Sequence, residues 1–204
     1  MDEVIPGVLF IGDINAASNI TLLQQHRITH VVNATFKEVY YETILSINFQ
    51  LEDEEDQKIS HYFEETRQHI LQAKNQGTAC LVHCMAGISR SSTLVLSYLI
   101  LEEGMTLFDA WQLLLQCRKD IHPNDGFWIQ LMELDKNLHG TYSIDEVEYK
   151  LRSLAIEFED YISLDEIFSL YDELQDVEAV DSYLLDKYLT FPESSSLSIC
   201  WIED

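Results

Sequence analysis

Along the first 140 residues, short β-branched apolar runs alternate with stretches whose apolar residues recur at helical spacing. Runs 8–11, 28–33, 44–49 and 79–82 predict strands. The last of these, Ala79-Cys80-Leu81-Val82, is apolar throughout, as a strand buried on both faces of a parallel sheet must be. Stretches 13–26, 60–75, 91–103, 107–118 and 126–138 predict helices, with Gly104 as a stop and Pro123 ahead of the last. This alternation predicts an α/β fold with a central, mostly parallel sheet of about five strands flanked by helices.

After Gly140 the pattern changes. Residues 141–204 contain no strand-like run until their last few positions. Two capping-box patterns, Ser143-x-x-Glu146 and Ser163-x-x-Glu166, each open an amphipathic run, and a third helix is expected over 177–189. The organisation expected is therefore a domain of residues 1–140 and an acidic, largely helical C-terminal extension of residues 141–204.

Charge sharpens that division. The chain carries 36 acidic and 12 Lys plus Arg side chains, a net charge of −24. Residues 1–140 account for −10 of it and residues 141–204 for −14, in less than half the length. So few basic residues argue against nucleic acid or an anionic membrane surface as a partner. With 47% apolar residues the chain can still bury a core. Cys80, Cys84, Cys117 and Cys200 have neither disulfide-framework nor zinc spacing, and the seven histidines show no metal-ligand pattern. No apolar stretch is long enough for a signal peptide or a membrane span, so a soluble protein of a reducing compartment, cytoplasmic and/or nuclear, is expected.

One segment carries chemistry: His83-Cys84-Met85-Ala86-Gly87-Ile88-Ser89-Arg90-Ser91, between the apolar strand and a helix. A loop feeding a helix N-terminus gathers backbone N–H groups into a nest that suits a phosphate dianion. Gly87 permits the turn, and Arg90 adds a planar fork for two phosphate oxygens. The same positive field favours the thiolate of Cys84, a nucleophile aimed at phosphorus. Taken singly, Cys84 would read as a buried thiol and Arg90 as a surface charge. Their C-x5-R-S spacing, with the glycine between them, favours the catalytic reading.

Residues 83–91 match the H-C-x-x-G-x-x-R-S/T signature, and this site resembles that of the cysteine-dependent protein tyrosine phosphatases. The form H-C-x-A-G-x-S-R-S is similar to that of the small, atypical dual-specificity branch. The resemblance runs from about Val4 to Leu138. It includes Pro6-Gly7-Val8-Leu9-Phe10-Ile11-Gly12, Ile28-Thr29-His30-Val31-Val32-Asn33, Ser97-Tyr98-Leu99-Ile100, and Arg118 through Pro123-Asn124-Asp125-Gly126-Phe127. Residues 141–204 lie outside it.

The resemblance implies that Cys84 attacks phosphorus to form a phosphocysteine while Arg90 binds the equatorial oxygens. Ser91 would donate to the departing sulfur, and His83 would orient Cys84 from behind the loop. His83, Met85, Ala86, Gly87, Ile88, Ser89 and Arg90 together would form the substrate-binding loop. The leaving oxygen needs a proton and a later water needs a base, roles one carboxyl can fill. The family places an Asp about thirty residues before the nucleophile. Here the run Glu52-Asp53-Glu54-Glu55-Asp56 lies 28 to 32 residues upstream of Cys84, so spacing leaves the choice open. Asp53 is preferred because Leu51-Glu52-Asp53 follows the third strand, with Asp56 as runner-up. Like charges around it favour the protonated form, and a bell-shaped rate profile with an optimum below neutral pH is expected.

No cofactor or metal is implied. The loop lacks the lysines of the superfamily's phosphoinositide phosphatases, which favours phosphoprotein substrates, and the acidic charge favours basic flanking sequence. Dual specificity for phosphotyrosine and phosphoserine/threonine follows from the resemblance. The alternatives are an RNA 5′-triphosphatase and a phosphoprotein-binding adaptor without turnover. Cys80 is read as a buried strand residue, with a redox partner for Cys84 as the other possibility. The extension has three readings: a solvated helical appendage, a docking surface for a basic partner, or an internal competitor for the Arg90 pocket. Oligomeric state is not legible in the sequence.

Overall fold

The computed structural model describes residues 1–189, and Cys200 with the last strand-like run lies outside them. Met1–Asp145 forms one compact unit and the chain from Glu146 a second.

The first unit is built on five strands: β1 (Asp2–Ile5), β2 (Leu9–Gly12), β3 (Ile28–Asn33), β4 (Leu45–Asn48) and β5 (Ala79–His83). They lie in the order β1-β2-β5-β3-β4. Only the β1–β2 pair is antiparallel; β2–β5, β5–β3 and β3–β4 are parallel. β5 takes the centre because all five of its residues are apolar or can be buried, and every one is buried. β1 was not anticipated. Asp2-Glu3-Val4-Ile5 carries two charges and only Val4 is buried, as an edge strand permits.

Phe10, Leu81 and Val31 are register partners across β2, β5 and β3. They form a row in the core with Ala17, Leu23, Ile28 and Ala79. Two short helices, α1 (Ile14–Ser18) and α2 (Ile20–Gln25), supply Ala17 and Leu23 to this face. The single helix expected over 13–26 is broken at Asn19, whose side chain accepts from the Leu22 N–H and so restarts the helix as an N-cap.

The opposite face is covered by α3 (Phe63–Asn75), α4 (Arg90–Leu101) and α5 (Leu107–Cys117), and α6 (Asp125–His139) packs on α4. His69 of α3 packs edge-on against His30 of β3 there. A 3₁₀ turn, Ile59–Tyr62, precedes α3 and takes the first residues of the expected 60–75 helix. Every residue of α4 from Ser91 to Ile100 is buried, which identifies it as the central helix of its layer. Gly104, at φ +67°, follows α4, and α6 closes at Gly140, at φ +82°.

The second unit contains α7 (Glu146–Glu157), α8 (Leu164–Leu174) and α9 (Val177–Leu184), with a π-helical turn over Leu185–Leu189. Leu151, Leu154, Phe158, Ile167, Val180 and Leu184 form its own core. The capping box at Ser163 and Glu166 is formed. The one expected at Ser143 is not, for α7 begins three residues later, at Glu146. The Ser143 hydroxyl instead accepts from the Phe108 N–H at 3.0 Å, and its own N–H donates to the buried Asp135 at 2.8 Å. Tertiary partners outcompete the local cap.

Candidate active site

The C-terminal ends of the parallel strands β2, β5 and β3 lie side by side, and the loops leaving that edge build the site. Sites of open α/β sheets form at such edges. The central loop runs from Cys84 at the end of β5 to Ser89 before α4.

Four successive carbonyls of this loop are held by donors. Ile14 N–H donates to Met85 O at 3.2 Å and His122 N–H to Ile88 O at 3.0 Å. Between them, Arg118 donates through Nη2 to Ala86 O and through Nε to Gly87 O, each at 2.9 Å. In a planar trans peptide the N–H lies opposite the C=O. Holding these four carbonyls therefore turns the N–H groups of Ala86, Gly87, Ile88 and Ser89 the other way. The Gly87 N–H shows the result, since it donates to Cys84 Sγ at 3.2 Å. Gly87 sits at φ +77°, and a Cβ there would lie 2.8 Å from Gly12 O and 2.9 Å from the Arg118 guanidinium. Only glycine fits both the angle and the space.

Cys84 is 1% exposed, and its sulfur lies 3.2 Å from the Ser91 hydroxyl in the first turn of α4. The sulfur thus faces a backbone N–H, a hydroxyl and the positive end of a buried helix. His83 is fully buried behind it, with Nδ1 3.3 Å from Cys84 O. Burial pushes the His83 imidazole down to about 4, so it is neutral at neutral pH. Met85, Ala86 and Ile88 are the exposed positions of the loop and give it an apolar rim, whereas Gly87 and Ser89 are buried.

Arg90 is 12% exposed and reaches the loop after β4, donating through Nη1 to Leu51 O at 3.0 Å. Its Nε lies 3.3 Å from Asp53 Oδ2, an ion pair by distance without the alignment of a hydrogen bond. The other carboxyl oxygen of Asp53 accepts from Ser89 Oγ at 2.6 Å and from Asn124 Nδ2 at 3.0 Å. Asp53 therefore faces three donors, Arg90, Ser89 and Asn124, while its acidic sequence neighbours are exposed. Asp56 is exposed, and among the described residues no ion pair or hydrogen bond brings it to the loop.

Cys80 is fully buried in β5, where burial raises its thiol above the ordinary range. Such a thiol is poorly suited to reacting with a neighbour. Three residues at the site had no role assigned from sequence: Arg118, Asn124 and Gly126. All lie in the segment from Arg118 to Phe127, which was read as a helix start and as part of the family resemblance, without a role for any of the three. No helix among the described residues is long and apolar enough to cross a membrane.

Comparison with known proteins accords with this geometry. Residues 9–137 match the dual specificity phosphatase catalytic domain. The dual specificity protein phosphatase PHS1 of Arabidopsis thaliana is 39% identical over 143 residues, 67% of this chain. The chain spans only 15% of that longer protein. Dual specificity protein phosphatase 1 of the same plant is 35% identical over 143 residues, covering 67% of this chain and 72% of its own length. The crystal structure of human DUSP28 superposes with a TM-score of 0.65 at 27% identity, covering 69% of this chain and 99% of that one. The chain belongs to the dual specificity phosphatase family, within the cysteine-dependent protein tyrosine phosphatases. The family match ends at residue 137, before the second unit.

Proposed function

We propose that the chain hydrolyses phosphotyrosine and phosphoserine/threonine in proteins through a phosphocysteine on Cys84. The Cys84 thiolate attacks phosphorus, the P–S bond forms and the P–O bond to the leaving group breaks. Asp53, as the carboxylic acid, gives its proton to the departing oxygen. In the second step water attacks phosphorus, Asp53 takes its proton, and the P–S bond breaks to release inorganic phosphate. Arg90 and the N–H groups of Ala86 to Ser89 hold the phosphoryl oxygens as charge redistributes. Ser91 donates to the sulfur as it leaves, and neutral His83 orients the Cys84 peptide.

The observation that carries this reading is the environment of the Cys84 sulfur, 3.2 Å from both the Gly87 N–H and the Ser91 hydroxyl at the base of the loop. A binding adaptor has no need of a nucleophile so placed. An RNA 5′-triphosphatase is disfavoured by the net charge of −10 over residues 1–140. Substrates with basic residues beside the phosphorylated one fit better, because Glu52, Glu54, Glu55 and Asp56 are all exposed beside Asp53. The catalytic function belongs to residues 1–140 in this reading. The acidic extension, residues 141–204, adds a surface of its own, and the protein works in the cytoplasm and/or nucleus. The test is turnover of p-nitrophenyl phosphate by the full chain and by Cys84→Ser; activity surviving in the variant would refute the mechanism.

A further inference from the structure

Asn124 and Ser89 form a connected pair around the Asp53 carboxyl. Asn124 is the N-cap of α6, its Oδ1 accepting from the Phe127 N–H at 2.9 Å. That bond fixes which way the amide points. With Oδ1 on the helix, Nδ2 is left facing Asp53 Oδ1 at 3.0 Å. The backbone N–H of the same residue donates to Ser89 Oγ at 3.1 Å. A hydroxyl that accepts there keeps its single proton for another partner, and Ser89 spends it on Asp53 Oδ1 at 2.6 Å.

The backbone of the Asp53 loop is pressed onto the same helix end. A Cβ on Gly126 would lie 1.9 Å from Glu55 O, so only glycine lets the first turn of α6 approach so closely. One turn further on, Gln130 donates to Gln57 O at 2.9 Å and accepts from the Ser60 N–H at 3.0 Å.

We infer that Asn124 and Ser89 are positioning residues for the general acid, and that they decide which carboxyl oxygen carries the proton. Oδ1 already accepts two hydrogen bonds, so Oδ2 is the oxygen left to take the proton once a phosphoryl group replaces it on Arg90. Oδ2 is thus the atom presented to the leaving group. This rests on the reading of Asp53 as general acid given above.

The test uses leaving-group dependence in the full chain. p-Nitrophenolate departs with little need of a proton, whereas the phenolate of phenyl phosphate needs one. kcat/KM, which reports the first chemical step and not the hydrolysis common to both esters, is measured on each for wild type, Asp53→Ala, Ser89→Ala and Asn124→Ser, the last keeping an acceptor for the α6 cap. Asp53→Ala should lose ~10²-fold on phenyl phosphate and far less on p-nitrophenyl phosphate. Ser89→Ala and Asn124→Ser should lower the phenyl to p-nitrophenyl rate ratio by roughly tenfold, in the same direction. If Asp53→Ala shifts the ratio and the other two lose rate equally on both esters, or keep the wild-type ratio, the positioning role is wrong. If Asp53→Ala itself keeps the wild-type ratio, Asp53 is not the acid and the positioning role falls with it.

Discussion

Arg118 donates to the carbonyl of Gly87 across a separation of 31 residues, and the same guanidinium also holds Ala86 O. Its remaining arm, Nη1, pairs with Asp2 Oδ2 at 2.7 Å, so the first strand of the sheet braces the loop from Cys84 to Ser89. Arg118→Lys keeps the charge and loses the fork, leaving at least one of the two carbonyls without its donor. kcat/KM for p-nitrophenyl phosphate should fall by about tenfold or more, for the loss of one charge-assisted hydrogen bond of roughly 1.5 to 3 kcal/mol. Asp2→Asn should cost less, because the two loop contacts remain. Equal activity in Arg118→Lys would show that the loop keeps its shape unaided.

Gly87 and Gly104 have similar positive φ values, but only Gly87 is crowded. Gly104→Ala meets open space and should cost about 1 to 2 kcal/mol of stability, the ordinary penalty for a left-handed alanine. Gly87→Ala adds a backbone clash with Gly12 O and should abolish turnover as well. Thermal unfolding and activity measured on both variants separate the two costs. An active Gly87→Ala enzyme would contradict the geometry of the loop.

Three buried histidines set an acid limit to stability. His83 is pushed down to about 4 by burial, and burial also lowers His30 and His69, which face each other across β3 and α3. The unfolded chain binds protons at these sites near pH 6.5 and the folded chain does not. Stability is therefore full above about pH 6.5 and declines as pH falls toward the depressed folded values. His83 alone should contribute a loss of about 2 kcal/mol between pH 7 and pH 5. Urea midpoints across that range should fall with pH, and the His83 imidazole followed by NMR should remain neutral at pH 5. An imidazole titrating near 6.5 would contradict its burial.

Asp135 is fully buried and accepts from the Leu107 N–H, the Ser143 N–H and His139 Nδ1, tying the start of α5 to the chain beyond α6. Those hydrogen bonds outweigh its burial and hold its carboxyl below the usual value. Asp135→Ala should cost roughly 2 to 4 kcal/mol, because a buried and a partly buried backbone donor lose their acceptor. A chemical denaturation midpoint close to wild type would show that water replaces the carboxylate without loss.

Much of this architecture could be read from local pattern. The apolar run from Ala79 to Val82 announced a strand buried on both faces, and the residues from His83 to Ser91 announced the loop between that strand and a helix. What could not be read depends on partners far along the chain. Asn124 reaches Asp53 across 71 residues, and no periodicity encodes that contact. Ser143 has a sound local capping pattern, but Phe108 and Asp135 claim its hydroxyl and N–H. β1 escaped notice because an edge strand of four residues needs little apolar content. Spacing left Asp53 and Asp56 open, and the preference for Asp53 rested on its place after the third strand; the contacts of Ser89, Arg90 and Asn124 with Asp53 exist only in the folded chain.

Trapping the covalent intermediate tests the central claim most directly. The full chain is mixed with a phosphotyrosine peptide, quenched during turnover and mapped by mass spectrometry. One phosphoryl group should be found on Cys84, and Cys84→Ser should release no inorganic phosphate. A phosphoryl group on another residue, or phosphate release sustained by Cys84→Ser, would contradict the account.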